Sequence, residues 1–177
     1  MRQIVLLRGT NVGGRNRLAM PALREALEAA NMREVSTYVQ SGNVVLDAEG
    51  APDELARRCE ALIAEHFGLD VAAVVRTRDE LARVVRRNPL ADVADQPKLY
   101  QVSFCASEPS KDAVSEASAR AVEGELLVAH GREIYAWFPH GIGRSRLAVA
   151  LADRGLGGGA TSRNWTTVTK LLELAER

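Results

Sequence analysis

Three arginines and two asparagines share one glycine-rich stretch, Arg8-Gly9-Thr10-Asn11-Val12-Gly13-Gly14-Arg15-Asn16-Arg17. It leaves an aliphatic run, Gln3-Ile4-Val5-Leu6-Leu7, and leads into a helical pattern. Glycines there free the backbone to point several N–H groups at one place, and the start of a helix adds partial positive charge. That chemistry suits an anion such as phosphate. Neither nucleotide fingerprint is met, because the stretch contains no GxxxxGK[ST] and no GxGxxG. Pro21 also removes one donor at the helix start. A solvated connection of unusual length is the competing reading.

Two further polar stretches could serve a ligand. Gln40-Ser41-Gly42-Asn43 offers amide and hydroxyl groups, although a hairpin turn alone accounts for it. Gly157-Gly158-Gly159-Ala160-Thr161-Ser162-Arg163-Asn164-Trp165 leads into the last helix, where Thr161 or Ser162 is expected to act as the cap. Capping does not explain why an arginine, an asparagine and a tryptophan stand together there. Catalytic residues are not recognisable. His66, His130 and His140 lack metal-ligand spacing, Ser41, Thr10 and Thr161 have no evident base, and Asp153 stands among arginines as an ion-pair partner.

The elements that would position these groups follow from periodicity. QIVLLRG reads as a buried strand, Pro21 to Ala30 as a helix with Leu23 and Leu27 stacked at i, i+4, and Asn31 as its stop. REVSTYVQ, with Val35, Thr37 and Val39 on one face, and NVVLD form a hairpin across Gln40-Ser41-Gly42. A helix over 53–67 ends at Gly68, and VAAVVRT returns as a strand. The order β-α-β-β-α-β is the ferredoxin-like plan. A connector helix near 78–87 and a loop with Pro89 and Pro97 follow, and the order then restarts. KLYQVSFC is a strand, 110–121 a helix, GELLVAH and REIYAWF a hairpin, 145–153 a helix, Ala160-Thr161-Ser162 a short strand, and RNWTTVTKLLELAER the closing helix. The expected fold is therefore α+β, with two ferredoxin-like halves packed together: 1–77, a connector at 78–97, and 98–177 with its C-terminal helix.

Charge sets limits on partners. The 177 residues hold 23 basic and 23 acidic side chains, a net charge of zero. The zero is a cancellation: residues 1–24 sum to +5, 25–133 to −8, 134–172 to +4 and 173–177 to −1. A uniformly basic nucleic-acid coat is excluded, while a local anion site at the basic ends is not. No apolar run reaches the ~20 residues that span a bilayer, and the four-residue run Ile4–Leu7 is too short for the core of a signal peptide. Cys59 and Cys105, 46 positions apart, read as reduced thiols of a cytoplasmic protein. Tyr135 and Trp137 share one face of REIYAWF and form a stacking pair for bases, or else pack inward.

RGTNVGGRNRLAMPALREAL, TYVQSGNVV and TSRNWTTVTKLLEL together resemble the bacterial domain-of-unknown-function family 1697. Its pattern is R-G-[IT]-N-V-G-G-x-[NR], then Q-S-G-N, then T-[TS]-R-N-W, and the likeness runs in that order across residues 1–177. The Leu18 to Pro21 order departs slightly from that pattern. The resemblance implies two ferredoxin-like halves and supplies no established activity. It carries over Arg8, Gly9, Asn11, Gly13, Gly14, Gln40, Ser41, Gly42, Asn43, Thr161, Arg163, Asn164 and Trp165. From these residues the three loops are expected to converge on one basic cleft that takes a phosphate-bearing ligand, namely RNA, single-stranded DNA, a nucleotide or a phosphorylated small molecule. Arg8, Arg15, Arg17 and Arg163 would contact phosphate, Asn11, Asn43 and Asn164 would hydrogen-bond, and Trp165 would stack. No metal or cofactor is called for. An enzyme acting on a small anionic metabolite, or a protein-interaction module, are the alternatives.

Overall fold

A computed structural model describes all 177 residues. Its strands are β1 (Arg2–Leu7), β2 (Arg33–Tyr38), β3 (Asn43–Asp47), β4 (Ala73–Thr77), β5 (Tyr100–Cys105), β6 (Leu126–His130), β7 (Glu133–Trp137) and β8 (Ala160–Asn164). Its helices are α1 (Met20–Ala29), α2 (Pro52–Phe67), α3 (Arg78–Arg87), α4 (Lys111–Ser118), α5 (Arg146–Leu151) and α6 (Trp165–Ala175), with a 3-10 turn at Leu156–Gly158. They build two antiparallel sheets, ordered β2-β3-β1-β4 and β6-β7-β5-β8. Each is the ferredoxin-like arrangement, with the first and last strands of the half side by side and the central hairpin on the other flank.

The chain divides into two units, Met1–Ala82 with Lys170–Arg177, and Arg83–Thr169. This differs from the expected boundaries. The division falls inside α3, within the 78–97 expected as connector, and residues 170–177 group with the first unit. A bond within that unit explains the second difference: the Arg2 guanidinium donates to the Leu174 carbonyl at 3.3 Å.

In the first unit, Val5, Leu7, Val44, Leu46, Ala73 and Val75 form the sheet face that packs against α1 and α2. Antiparallel register puts them on one side, because Val5 lies opposite Val44 and Val75. α2 starts at Pro52 with Asp53 and Glu54 in its first turn, where carboxylates meet the positive helix end. Gly68 stops it at φ +65°, its N–H bonded to Ala64. Its buried stripe is Leu55, Cys59, Leu62 and Ile63, each fully buried aliphatic side chain being worth roughly 1.5–3 kcal/mol. In the second unit Cys105, Ile134, Ala136, Phe138, Leu147, Leu151 and Leu156 make the corresponding core.

Burial pushes the Cys59 thiol up to about 12 and the Tyr100 hydroxyl also up to about 12. The unfolded chain therefore releases these protons first, and the native state loses stability as pH rises from about 9 towards 12. Arg163 acts with opposite sign above pH 10, because burial pushes its guanidinium down to about 10. The clean window is therefore pH 9 to 10. We expect urea midpoints to fall there by the equivalent of about 1 kcal/mol, and the Cys59→Ala variant to remove most of that fall. An unchanged slope in Cys59→Ala would assign the loss to other groups.

Candidate functional site

The connection from β1 to α1 is long. Residues 8–19 separate the two elements, whereas the equivalent connection from β5 to α4 in the second half takes only 106–110. The same fold step thus needs less than half the length, and strand–helix loops are commonly 2–6 residues. Within it Gly9, Asn11, Gly13, Gly14 and Asn16 all lie at positive φ, between +46° and +75°. Glycine adopts this region freely and asparagine tolerates it better than most residues. Alternation of left-handed and ordinary residues curls the chain and turns successive N–H groups to one side.

Asn11 pins the loop. Its amide donates to the Leu18 carbonyl at 2.9 Å and to the Gln40 carbonyl at 2.7 Å, and its side-chain oxygen accepts from the Leu18 N–H at 2.9 Å. The Asn11 N–H reaches the Asn16 carbonyl at 3.2 Å, and Asn16 Nδ2 reaches Gly9 at 3.3 Å. The loop is thereby fastened to the hairpin tip, where Leu7 N–H also donates to Gly42 at 2.8 Å. Gly42 is itself squeezed at φ +72°, since a Cβ there would sit 2.4 Å from Thr10 Oγ1 and 2.7 Å from Leu7 Cβ. The first two polar stretches do therefore come together, within the first unit.

Their side chains do different work from the expected one. Both Asn11 amide hydrogens are spent on carbonyls, so Asn11 holds the loop rather than offering its amide to a ligand. Asn43 is fully buried and donates to the Tyr38 carbonyl and to Ser41 Oγ, at 3.2 and 3.0 Å. Arg8 is half-buried, and its N–H donates to Ala72 at 2.8 Å. Gln40 and Ser41 are exposed. At the loop tip Gly13, Gly14, Arg15 and Arg17 are all exposed. The Gly13 and Gly14 N–H groups meet no protein acceptor, and neither the Arg15 nor the Arg17 side chain meets a carboxylate.

The third stretch lies in the second unit. Residues 160–164 are strand throughout, longer than the Ala160–Ser162 expected, so neither Thr161 nor Ser162 can cap α6. Asn164 does so, its Oδ1 accepting the Thr167 N–H at 2.9 Å. An asparagine directly before the helical pattern was a legible signal for this. Ser162 lies opposite Ser103, with the hydroxyls 2.7 Å apart. Arg163 is buried, and Nη1 donates to Thr161 Oγ1 at 2.6 Å and to the Ser162 carbonyl at 2.9 Å. Trp165 stacks on Tyr100, ring centres 4.8 Å apart and planes at 19°.

An unexpected counterpart explains this stretch. Arg76 on β4 stands where Arg163 stands on β8: Arg76 lies opposite Ile4, the third residue of β1, and Arg163 opposite Val102, the third of β5. Both arginines are buried, at 1% and 8% exposure. The next residue caps a helix in each half, Thr77 for Glu80 at 3.1 Å and Asn164 for Thr167. Sequence reasoning missed Arg76. The shared signal was an arginine followed by a capping residue at the end of each half's last strand.

Of the two readings of the aromatic pair, the inward-packed one holds. Tyr135 is 0% and Trp137 7% exposed, and the Tyr135 hydroxyl donates to the Val84 carbonyl of α3 at 3.0 Å. That face is packed, so its rings are not open to bases. No group of three or more His, Cys, Asp or Glu side chains is placed to hold a metal, and no helix is long and apolar enough to cross a membrane.

Two ferredoxin-like halves, with a long glycine–arginine loop on the first alone, define the class of protein. The chain belongs to DUF1697, a family of proteins of unknown function, whose model matches residues 1–135. The match is shorter than the likeness over 1–177 suggested, and Thr161–Trp165 fall outside it. The chain is also similar to a conserved bacterial protein, SP0830, from Streptococcus pneumoniae: 20% identity over 98% of both chains, with a TM-score of 0.78. At that identity the likeness speaks for the fold alone. No curated protein matches the chain.

Proposed function

We propose that the loop 8–17 binds a phosphate-bearing ligand, and that the ligand is a nucleic-acid strand held through its backbone. One observation carries this reading: the loop is far longer than the fold requires, as its counterpart at 106–110 demonstrates. The extra length is spent on left-handed residues, unaccepted glycine N–H groups and two exposed arginines. Arginine suits phosphate because its planar fork donates two parallel bonds. A strand is favoured over an enclosed nucleotide because Arg15 and Arg17 project at an exposed tip. Base stacking plays little part, since Tyr135 is buried and one face of Trp165 is taken by Tyr100. Arg163, Asn164 and Asn43 serve in this account as framework, and Arg8, Gly13, Gly14, Arg15 and Arg17 carry the contact. Binding is the reading the loop supports, and the Thr10 and Ser41 hydroxyls beside it have no evident base.

The test is thermal stabilisation by oligo(dT) and by inorganic polyphosphate. Saturating ligand should raise the melting temperature by several degrees, and the Arg15→Ala/Arg17→Ala double variant should lose that rise while melting normally alone. No rise in the wild type, or an undiminished rise in the double variant, overturns the assignment.

A further inference from the structure

Apart from Met1, the first unit exposes two large apolar side chains, Val12 at 63% and Val39 at 52%. Both stand at the arginine loop. Val12-Gly13-Gly14-Arg15 is a tight hairpin turn. Both glycines lie at positive φ, an antiparallel bridge joins Val12 to Arg15, and the Arg15 N–H donates to the Val12 carbonyl at 3.0 Å. Residues opposite one another across such a bridge send their side chains to the same face. The exposed valine and the exposed arginine therefore lie together. Val39 stands on the neighbouring tip: the side chain of Asn11, which precedes Val12, donates to the carbonyl of Gln40, which follows Val39, at 2.7 Å. Val39 is also strained. It sits at φ +51°, a conformation that glycine or asparagine adopts at less cost than a β-branched residue. Half exposed, its side chain regains little of that cost by burial. Gln40 is exposed as well, and its side-chain amide bonds to nothing in the protein.

We propose that Val12, Val39 and Gln40 contact the bases of the strand whose phosphates Arg15 and Arg17 hold. This rests on the reading of the loop as a strand-binding site. It adds that the occupant is a nucleic acid recognised partly by its bases, rather than any chain of phosphates. Phosphate contact explains none of the three side chains, because a valine has no donor and an amide carries no charge. A base explains all three. Aliphatic carbon packs on its apolar surface, such as the thymine methyl, and an amide offers one donor and one acceptor group to its edge. Contact of this kind needs no aromatic platform. Charge agrees with a polyanion at the same place: residues 8–17 and 39–43 hold Arg8, Arg15 and Arg17 and no carboxylate.

Fluorescence anisotropy of the full chain with oligo(dT), and with an abasic strand of equal length, tests this. The wild type should bind oligo(dT) about tenfold more tightly than the abasic strand, the size of a modest base contact. Val39→Gly should remove most of that preference. So should Gln40→Ala, which keeps the backbone carbonyl that Asn11 holds. Both variants should bind the abasic strand as the wild type does. Val39→Gly relieves the left-handed strain, so its melting temperature should not fall, and a lost preference is then no folding defect. Equal wild-type affinity for the two strands, with binding still dependent on Arg15 and Arg17, overturns the base contact and leaves the phosphate reading standing. No binding of either strand overturns both. A preference for oligo(dT) that survives Val39→Gly and Gln40→Ala overturns the assignment to these residues.

Discussion

Gly157→Ala is expected to destabilise the second unit by about 4 kcal/mol, enough to lower the melting temperature by roughly 10 °C. The residue sits at φ +54°, where any side chain costs about 1–2 kcal/mol. A Cβ there would also lie 2.6 Å from Cys105 Cβ and 2.6 Å from the Ser107 carbonyl oxygen. Neither neighbour can give way. Cys105 is fully buried in β5, and the Ser107 N–H is bonded to the Gly157 carbonyl at 2.8 Å. Overpacking of a fixed site adds roughly 1–3 kcal/mol to the backbone strain. Gly158→Ala is the control: its φ is +73°, but the nearest atom is the movable Ser107 hydroxyl at 3.2 Å. We expect it to cost only the backbone strain, about 1–2 kcal/mol. Thermal or urea unfolding of the two variants separates the cases, and equal losses would show that close packing is not what requires glycine at 157.

Gly42→Ala should cost about 3 kcal/mol and also weaken ligand binding. Here φ is +72°, and the added carbon would meet Thr10 Oγ1 at 2.4 Å and Leu7 Cβ at 2.7 Å. The Thr10 hydroxyl can rotate aside, but Leu7 Cβ belongs to β1, fixed between β3 and β4. Strain and overpacking again add. The consequence differs from that at Gly157 because the displaced neighbours are the root of the loop. Moving the hairpin tip breaks the Asn11 amide's reach to Gln40 and with it the fastening of the loop. Gly13→Ala separates binding from folding. No atom lies within 4 Å of a Cβ there, so stability should fall by only about 1 kcal/mol of left-handed strain. If Gly42→Ala retains both stability and binding, the hairpin does not support the loop.

Local pattern carried most of the fold. The stop at Gly68, the helix over 78–87 and the doubled β-α-β-β-α-β order each depend on neighbours a few residues away, and all appear in the structure. Helices expected over 110–121 and 145–153 close earlier, at Ser118 and Leu151, because their last residues fall into turns that lead to the next strand. The site was less legible. An asparagine in a glycine-rich loop looks the same in sequence whether its amide faces a ligand or two carbonyls. Only the fold brings Gln40 to Asn11, 29 residues away. Arg163 likewise looked like an exposed cation until its strand position and its counterpart Arg76 placed it inside. The glycine run before it looked like a ligand loop, yet Gly157 is there for contact with Cys105 and Ser107. What remained of the anion reading is the tip of one loop.

The most direct test of that reading is the salt dependence of oligo(dT) affinity, measured by fluorescence anisotropy from low to moderate ionic strength. Each phosphate contacted on a single strand contributes a slope of about −0.7 to log affinity against log salt. The wild type should therefore show a slope of at least about −1.4 from Arg15 and Arg17, and the Arg15→Ala/Arg17→Ala variant should be shallower by that amount. A flat wild-type plot, or a slope that the double variant leaves unchanged, would contradict the assignment of phosphate binding to this loop.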